Sequence, residues 1–316
     1  MPELRILVLN QLADRHRDVI SHVAPNAEII TCDIAQAAQH IATVDILLTW
    51  GSSDIRSLYL AAPKLTWVHT LSAGVEQLIF PELQAASTLL TNSRGIHGIP
   101  VSEHVLALML AFSRGLNLLI RQQTAKHWQR VLVSELHEKI IGIVGLGSIG
   151  REIAKKAKGL GMHVMATKRE MTTELFADKL YSPDKLMEML PQCDFVVTAL
   201  PLLEETREMF TLEQFSVMKR SAYFINIARG DIIRQTDLVK ALEQNLIQGA
   251  GLDVFVEEPL DSTSPLWEMP QVIITPHLAA LSPAYLDRAI KLFADLLSRF
   301  VEKREMYNVI DKFKGY

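Results

Sequence analysis

The sequence predicts an α/β protein with two doubly wound parallel-sheet domains. Two observations carry that expectation. Short, nearly continuous apolar runs alternate with amphipathic stretches, the pattern of parallel strands covered on both faces. After one long helical stretch the same rhythm starts again from the beginning. Length permits this, since 316 residues at 49% hydrophobic and 22% charged can fill two cores of ordinary soluble composition.

In the first half "LRILVLN", "AEIITC", "DILLTW", "LTWVHT" and "STLLTN" read as strands with helical segments between most of them. "SRGIHGIP", Ser93 to Pro100, reads as a linker, and a single long helix is expected from about Val101 to Arg121, with Pro100 near its first turn. The second set of strands is "KIIGIVG", "MHVMAT", "DFVVTAL", "SAYFINIA", "QGAGLDV" and "QVIITP", separated by helical stretches such as "REIAKKAKGL" and "TDLVKALEQN". "LSPAYLDRAIKLFADLLSRF" then forms a long amphipathic helix, with Ser282 as its expected cap and Pro283 in its first turn. Because the second sheet is complete by Pro276, this last helix is free to rejoin the first domain. The expected division is therefore 1–96 plus 285–316 for one domain and 97–284 for the other.

Composition removes several function classes. A net charge of −4 and no long basic run argue against nucleic acid as a partner. Cys32 and Cys193 have no metal-like spacing, so they read as two reduced thiols and no metal site is expected. "MPELRILVLNQ" enters a strand directly, without the basic start and apolar core of a secretory leader. Apolar runs such as "VLALMLAF" fall short of the roughly 18–20 residues a membrane span needs, and Arg114 follows closely. The expectation is a soluble cytoplasmic protein with no membrane partner.

The stretch Gly145-Leu146-Gly147-Ser148-Ile149-Gly150 follows a strand and opens a helix, the context in which G-x-G-x-x-G marks a dinucleotide site. Gly145 permits the tight turn, Gly147 lets backbone approach the phosphates, and Gly150 lets helix and strand pack closely. The helix N-terminus then points its amides at the anion. An NAD site normally places an acid roughly 20 residues on, to hold the ribose hydroxyls. Here the chain has Thr167, Lys168 and Arg169 instead. An acid would repel a 2′-phosphate whereas these cations attract it, so NADPH is the expected cofactor and NAD the alternative. The plainer reading of Lys168 and Arg169 is that they face water.

Three polar islands at strand ends, "NIARGD", "LDVFVEEPL" and "TPHLAA", contribute Arg229, Glu258 and His277. Ligands of open α/β sheets bind outside the carboxyl ends of strands, so all three can serve one crevice. Reduction of a 2-oxo acid needs a guanidinium for the carboxylate, an imidazolium to protonate the forming alkoxide, and a carboxylate to hold that imidazolium. Each residue alone has a bland explanation as a loop or turn residue; the set behind a dinucleotide loop does not.

These motifs, with "LSAGVEQL", "VSEHVLALML", "LPLLEETR", "GAGLDVFVEEPL" and "SPLWEMPQVIITPHLAA", occur in an order that resembles the D-isomer-specific 2-hydroxyacid dehydrogenase family over nearly the full chain. "LLTW" at Trp50, "HWQ" at Trp128 and the C-terminal "KGY" are most similar to glyoxylate/hydroxypyruvate reductases of the bacterial type A. The resemblance implies a flavodoxin-like substrate domain, a Rossmann NAD(P)-binding domain and a cleft between them. It implies Arg229 as carboxylate anchor, His277 as proton donor and Glu258 as its partner. It also implies substrate contacts at Ala73, Gly74 and Trp50. Cofactor contacts are implied at Leu200, Pro201, Thr206, Ile227, Ala228 and Asp253, beside the glycine loop, Thr167–Arg169 and His277. Asp253 is similar to the residue that holds the nicotinamide carboxamide. A homodimer through the cofactor domain is implied as well. The chain departs from the family's NAD-using pattern at Lys168, which favours NADPH, and at His97 in the linker, where a smaller or amide residue is common. The expected activity is NADPH-linked reduction of glyoxylate and hydroxypyruvate. Two rivals stand beside it: an NADH-linked dehydrogenase of lactate, phosphoglycerate or a larger 2-oxo acid, and a non-enzymatic dinucleotide-sensing corepressor.

Overall fold

The computed structural model describes residues 4–314; Gly315 and Tyr316 of the "KGY" ending lie outside the described residues. The chain divides into two compact units, 1–96 with 282–316, and 97–281. In the first unit the apolar runs form β1 (Arg5–Val8), β2 (Glu28–Thr31), β3 (Ile46–Thr49), β4 (Trp67–Thr70) and β5 (Leu89–Asn92). Helices α1 (Asp14–Val23), α2 (Arg56–Leu60) and α3 (Pro81–Ala85) fall between them. All strands pair in parallel in the order β2-β1-β3-β4-β5, the doubly wound order of flavodoxin-like sheets.

In the second unit the expected long helix is two helices. α4 (Gly98–Ser113) stops at Arg114 and α5 (Leu116–Thr124) leaves at 67°. The break is at Gly115, whose φ of +64° turns the chain in a conformation that glycine adopts without strain. α4 also begins inside the expected linker, with Pro100 in its first turn and buried His97 just before it. β6 (Ile140–Val144), α6 (Ser148–Gly159), β7 (His163–Thr167), β8 (Lys179–Tyr181), α7 (Leu186–Met189), β9 (Phe195–Thr198), α8 (Leu212–Val217), β10 (Tyr223–Asn226), α9 (Gln235–Glu243), β11 (Gly249–Leu252) and β12 (Val272–Ile274) complete the unit. The parallel order is β12-β11-β10-β9-β6-β7-β8. β8, absent from the sequence reading, is an edge strand of three residues beginning with a lysine, too short to show a periodic pattern.

Alternate residues of these strands fill opposite faces, as a period of two requires. Ile141, Ile143, Phe195, Val197 and Ile225 pack with α4 and α6, whereas Val144, Val196 and Phe224 pack with α7, α8 and α9. Both faces are covered, which explains why the strands read as unbroken apolar runs. Cys32 and Cys193 are buried and unpaired, and burial pushes the Cys193 thiol up to about 12, an inert group.

The chain then rejoins the first unit through α10 (Tyr285–Val301). Ser282 is not its cap. Ser282 and Pro283 lie in a preceding turn closed by Tyr285 N–H donating to Ser282 O at 3.0 Å, and the Ser282 hydroxyl instead accepts from Arg288 Nη2 at 2.8 Å. α10 buries Ala289, Ile290, Phe293, Ala294, Leu296 and Leu297, and Phe293 packs 5.2 Å from the Trp67 ring. Residues 308–310 run beside β5, where Ile310 N–H donates to Leu90 O at 2.9 Å. Among the described residues no single helix is long and apolar enough to cross a membrane.

His69 on β4 lies wholly in this core, with Nδ1 2.8 Å from Thr91 Oγ1 and Nε2 3.1 Å from Ser93 Oγ. Burial holds its pKa down to about 3, so the folded state keeps it neutral where the unfolded chain takes up a proton. Stability from this group is full above the unfolded value of about 6.5 and is lost as pH falls toward the folded value, at up to ~1.4 kcal/mol per pH unit. Urea midpoints of wild type and His69→Gln between pH 7 and 4 test this: the wild type is expected to lose stability more steeply. Equal slopes would contradict it.

Candidate active site

The switch point of the second sheet lies between β6 and β9, where the strand order reverses and ligands of such sheets bind. β6 delivers Gly145 there with φ +101°, and a Cβ on it would sit 2.7 Å from Ala199 O beyond β9. A Cβ on Gly150 would sit 2.3 Å from Gly145 O, so α6 can start this close to β6 only with glycine. Gly147 differs: nothing of the protein lies within 4 Å of its would-be Cβ, and its side faces open space. Two glycines are thus required by packing, and the third keeps backbone accessible to a ligand. α6 makes its first helical bond from Arg151 N–H to Gly147 O at 3.0 Å, which leaves the amides of Ser148, Ile149 and Gly150 ahead of it in the anion-binding position.

Thr167 pins this loop. Its hydroxyl accepts from Gly145 N–H at 3.1 Å and its carbonyl from Leu146 N–H at 3.0 Å. The hydroxyl is therefore committed to the glycine turn, a duty the sequence did not suggest. Gly145, Leu146, Gly147, Thr167, Lys168, Arg169, Leu200, Pro201 and Thr206 line one cleft of about 630 Å³. Thr206 shapes its wall, accepting from Leu203 N–H at 2.7 Å and donating to Pro201 O at 2.8 Å. Ile227 and Ala228 are buried in the core below rather than in the lining. The cradle fits a dinucleotide.

At the polar end of the cleft the structure adds what the sequence did not announce. Lys168 Nζ lies 2.5 Å from Glu174 Oε1 and also bonds the Thr172 hydroxyl. Glu174 receives both Arg151 Nε, at 2.9 Å, and Arg151 Nη2, at 2.8 Å. Arg151 first and Lys168 second hold the Glu174 carboxyl at about 2. Arg169 pairs with Glu205 on the exposed rim.

The three candidate catalytic residues each follow a strand of the same sheet. At the end of β10, buried Asn226 folds the following loop around itself: Thr198 Oγ1 and Ala228 N–H donate to its Oδ1, at 2.7 and 3.1 Å, and its Nδ2 donates to Arg229 O at 2.9 Å. Arg229 emerges from this loop half-buried, with Nη1 donating to Ala228 O at 2.8 Å. Beyond β11, Asp253 is buried, and its carboxylate accepts from Thr275 Oγ1 (2.6 Å), Leu278 N–H (3.0 Å) and Ala279 N–H (3.0 Å). The turn it grips carries His277, itself at φ +50° with its N–H donating to Asp253 O at 2.8 Å. Glu258 accepts from Phe255 N–H through Oε1 at 3.0 Å and meets His277 Nδ1 through Oε2 at 2.7 Å. Glu258 and His277 are thus brought together, with Nε2 on the opposite side of the ring. Asp253 acts on this turn in the structure, a role the sequence did not show.

In the first unit Trp50, after β3, packs 5.7 Å from the Tyr285 ring at 32°. Its loop touches the one after β4: Gly51 N–H donates to Ser72 Oγ at 2.9 Å, and a Cβ on Gly51 would collide with Gly74 O at 1.9 Å. Ser72 Oγ donates to Gly74 O at 3.0 Å, Asn92 Nδ2 to Ala73 O at 2.6 Å, and Tyr285 OH to Leu71 O at 2.9 Å. Trp50, Ala73 and Gly74 therefore sit together at the carboxyl end of the first sheet.

Residues 106–279 match the family model for the D-isomer specific 2-hydroxyacid dehydrogenase, NAD binding domain. Glyoxylate/hydroxypyruvate reductase B of Escherichia fergusonii is 33% identical over 284 residues, 86% of this chain and 85% of that protein. A D-isomer specific 2-hydroxyacid dehydrogenase family protein from Aeromonas salmonicida superposes with a TM-score of 0.90 at 32% identity, over 98% of this chain and 99% of that one. An NADPH-dependent glyoxylate/hydroxypyruvate reductase from Sinorhizobium meliloti, solved with NADP and sulfate, gives a TM-score of 0.85 at 26% identity, over 99% and 100%. Likeness of this extent in both sequence and fold has one consequence: the chain belongs to the D-isomer specific 2-hydroxyacid dehydrogenase family.

Proposed function

We propose that this enzyme is an NADPH-preferring reductase of small 2-oxo acids, glyoxylate and hydroxypyruvate first. The observation that carries the reading is the 2.7 Å contact between His277 Nδ1 and Glu258, built on the same sheet as the glycine cleft. The reductase names of the relatives from Escherichia fergusonii and Sinorhizobium meliloti support the substrate class, and the second supports NADPH.

The dinucleotide, when held along Gly145–Gly150, supplies the hydride. Glu258 accepts a hydrogen bond from His277 Nδ1–H, which orients the imidazolium and leaves Nε2–H to protonate the alkoxide oxygen as it forms. Arg229 grips the substrate carboxylate with its planar fork. Asp253 keeps the His277 turn in place, and its burial makes that hold stiff. In the first unit, Trp50 and the Ala73 and Gly74 amides are the groups we assign to substrate. Lys168 and Arg169 are assigned to the 2′-phosphate. A homodimer through the second unit is supported by exposed apolar side chains on and after α5, among them Ile120, Trp128 and Leu132. Two buried, unpaired thiols suit a cytoplasmic location.

His277→Ala is expected to lower kcat for glyoxylate reduction by about 10²–10⁴-fold, the scale of general acid catalysis; turnover near wild type would refute the assignment. The cofactor reading is tested by kcat/KM with NADPH and NADH on wild type and Lys168→Asp. A preference for NADPH that the substitution weakens is expected. Equal or better use of NADH by wild type would remove the preference, and no turnover with either would remove the substrate class. For the assembly, light scattering is expected to give a dimer mass for wild type and a monomer mass for Leu132→Glu with Ile120→Glu. A monomeric wild type would end that proposal.

A further inference from the structure

We infer that Glu174 sets how strongly the cofactor cleft reads a phosphate on the adenosine ribose, acting through Lys168 and Arg151. This rests on the NADPH reading above and deepens it.

Lys168 lines the cleft at the carboxyl end of β7, whereas Glu174 stands behind it. One carboxylate serves two cations: Oε1 lies 2.5 Å from Lys168 Nζ, and both oxygens take the fork of Arg151 from the first turns of α6. The Lys168 and Glu174 side chains are only 14% and 12% exposed, so solvent screens this pair poorly. The neighbouring pair Arg169–Glu205 is 56% and 65% exposed, where salt and side-chain entropy leave little net attraction. Glu205 can swing aside for a ligand, but Glu174 is fixed by its two-point bond to Arg151.

Two consequences follow for a 2′-phosphate, which carries about −1.5 to −2 charge at neutral pH. Glu174 cancels one of the two positive charges it serves, those of Lys168 and Arg151, and it holds the Lys168 ammonium toward itself and Thr172. The acid that an NAD-type site carries at the end of this strand is absent from position 168, yet a carboxylate returns beside that position from Glu174. Lys168 attracts the phosphate while Glu174 tempers the attraction, so the cleft discriminates between the two dinucleotides less than its cations alone would. Glu174 is a positioning residue that acts through Lys168.

The test is titration calorimetry of the full-length protein with adenosine 2′,5′-bisphosphate and adenosine 5′-monophosphate, which differ in the ribose phosphate. Wild type, Glu174→Gln and Glu174→Asp are compared. Glutamine removes the charge while keeping one acceptor oxygen at this place, and is expected to tighten the bisphosphate about tenfold. The monophosphate is expected to move by less than about twofold, and aspartate, which restores the charge, to fall near wild type. An unchanged or weakened bisphosphate affinity in Glu174→Gln would overturn the inference, as would equal changes for both ligands, the mark of a merely structural role. Wild type that binds both ligands equally, with Glu174→Gln gaining a bisphosphate preference, would sink the NADPH reading and keep Glu174. A wild-type preference that Glu174→Gln leaves unmoved would do the reverse.

Discussion

A carboxylate taken out of water costs several kcal/mol unless donors replace its hydration. Asp253 is buried at the end of β11, and the donors it recruits are the Thr275 hydroxyl and the amides of Leu278 and Ala279. Satisfying that charge fixes the turn after β12, and the turn carries His277. The same carboxylate therefore ties two neighbouring strand ends together and determines where the imidazole stands. Glu258 needs only to reach from the adjacent loop to complete the pair. The energetic need to satisfy one buried charge and the chemical need to aim one ring are met by the same hydrogen bonds.

The cofactor end rests on a different constraint, close backbone approach. Gly145 and Gly150 lie where a Cβ would strike carbonyl oxygens, so β6, β9 and α6 converge only because no side chain intervenes. Thr167 then spends its hydroxyl on the Gly145 amide, coupling the end of β7 to the loop. The next residue, Lys168, begins the polar end of the cleft. Backbone geometry and cofactor electrostatics thus meet at two consecutive residues, which gives the charges behind Lys168 leverage on the ligand.

Much of the fold was legible in the sequence because parallel strands covered on both faces must be apolar throughout, and the helices between them must be amphipathic. The exceptions have local physical causes. Gly115 breaks the long helix because a left-handed glycine costs little there, while the residues on either side remain good helix formers. β8 is a three-residue edge strand and carries no period to read. Ser282 has the composition of a cap, but a turn at Pro283 carries it past the helix start and its hydroxyl goes to Arg288.

The sequence by itself determined which chemical groups stand at strand ends: the glycine turn, Arg229, Glu258, His277, and cations where an acid was expected. It could do so because strand ends and tight turns are local, written in adjacent residues. Only the tertiary structure decided how those groups are partnered. The Thr167 hydroxyl goes to the Gly145 amide, the Asp253 hold on residues 278 and 279 crosses between strands, and Glu174 reaches Arg151 from the loop after β7. Charge and hydrogen bonding act over a few ångströms of space, and sequence spacing does not reveal which residues lie within that distance.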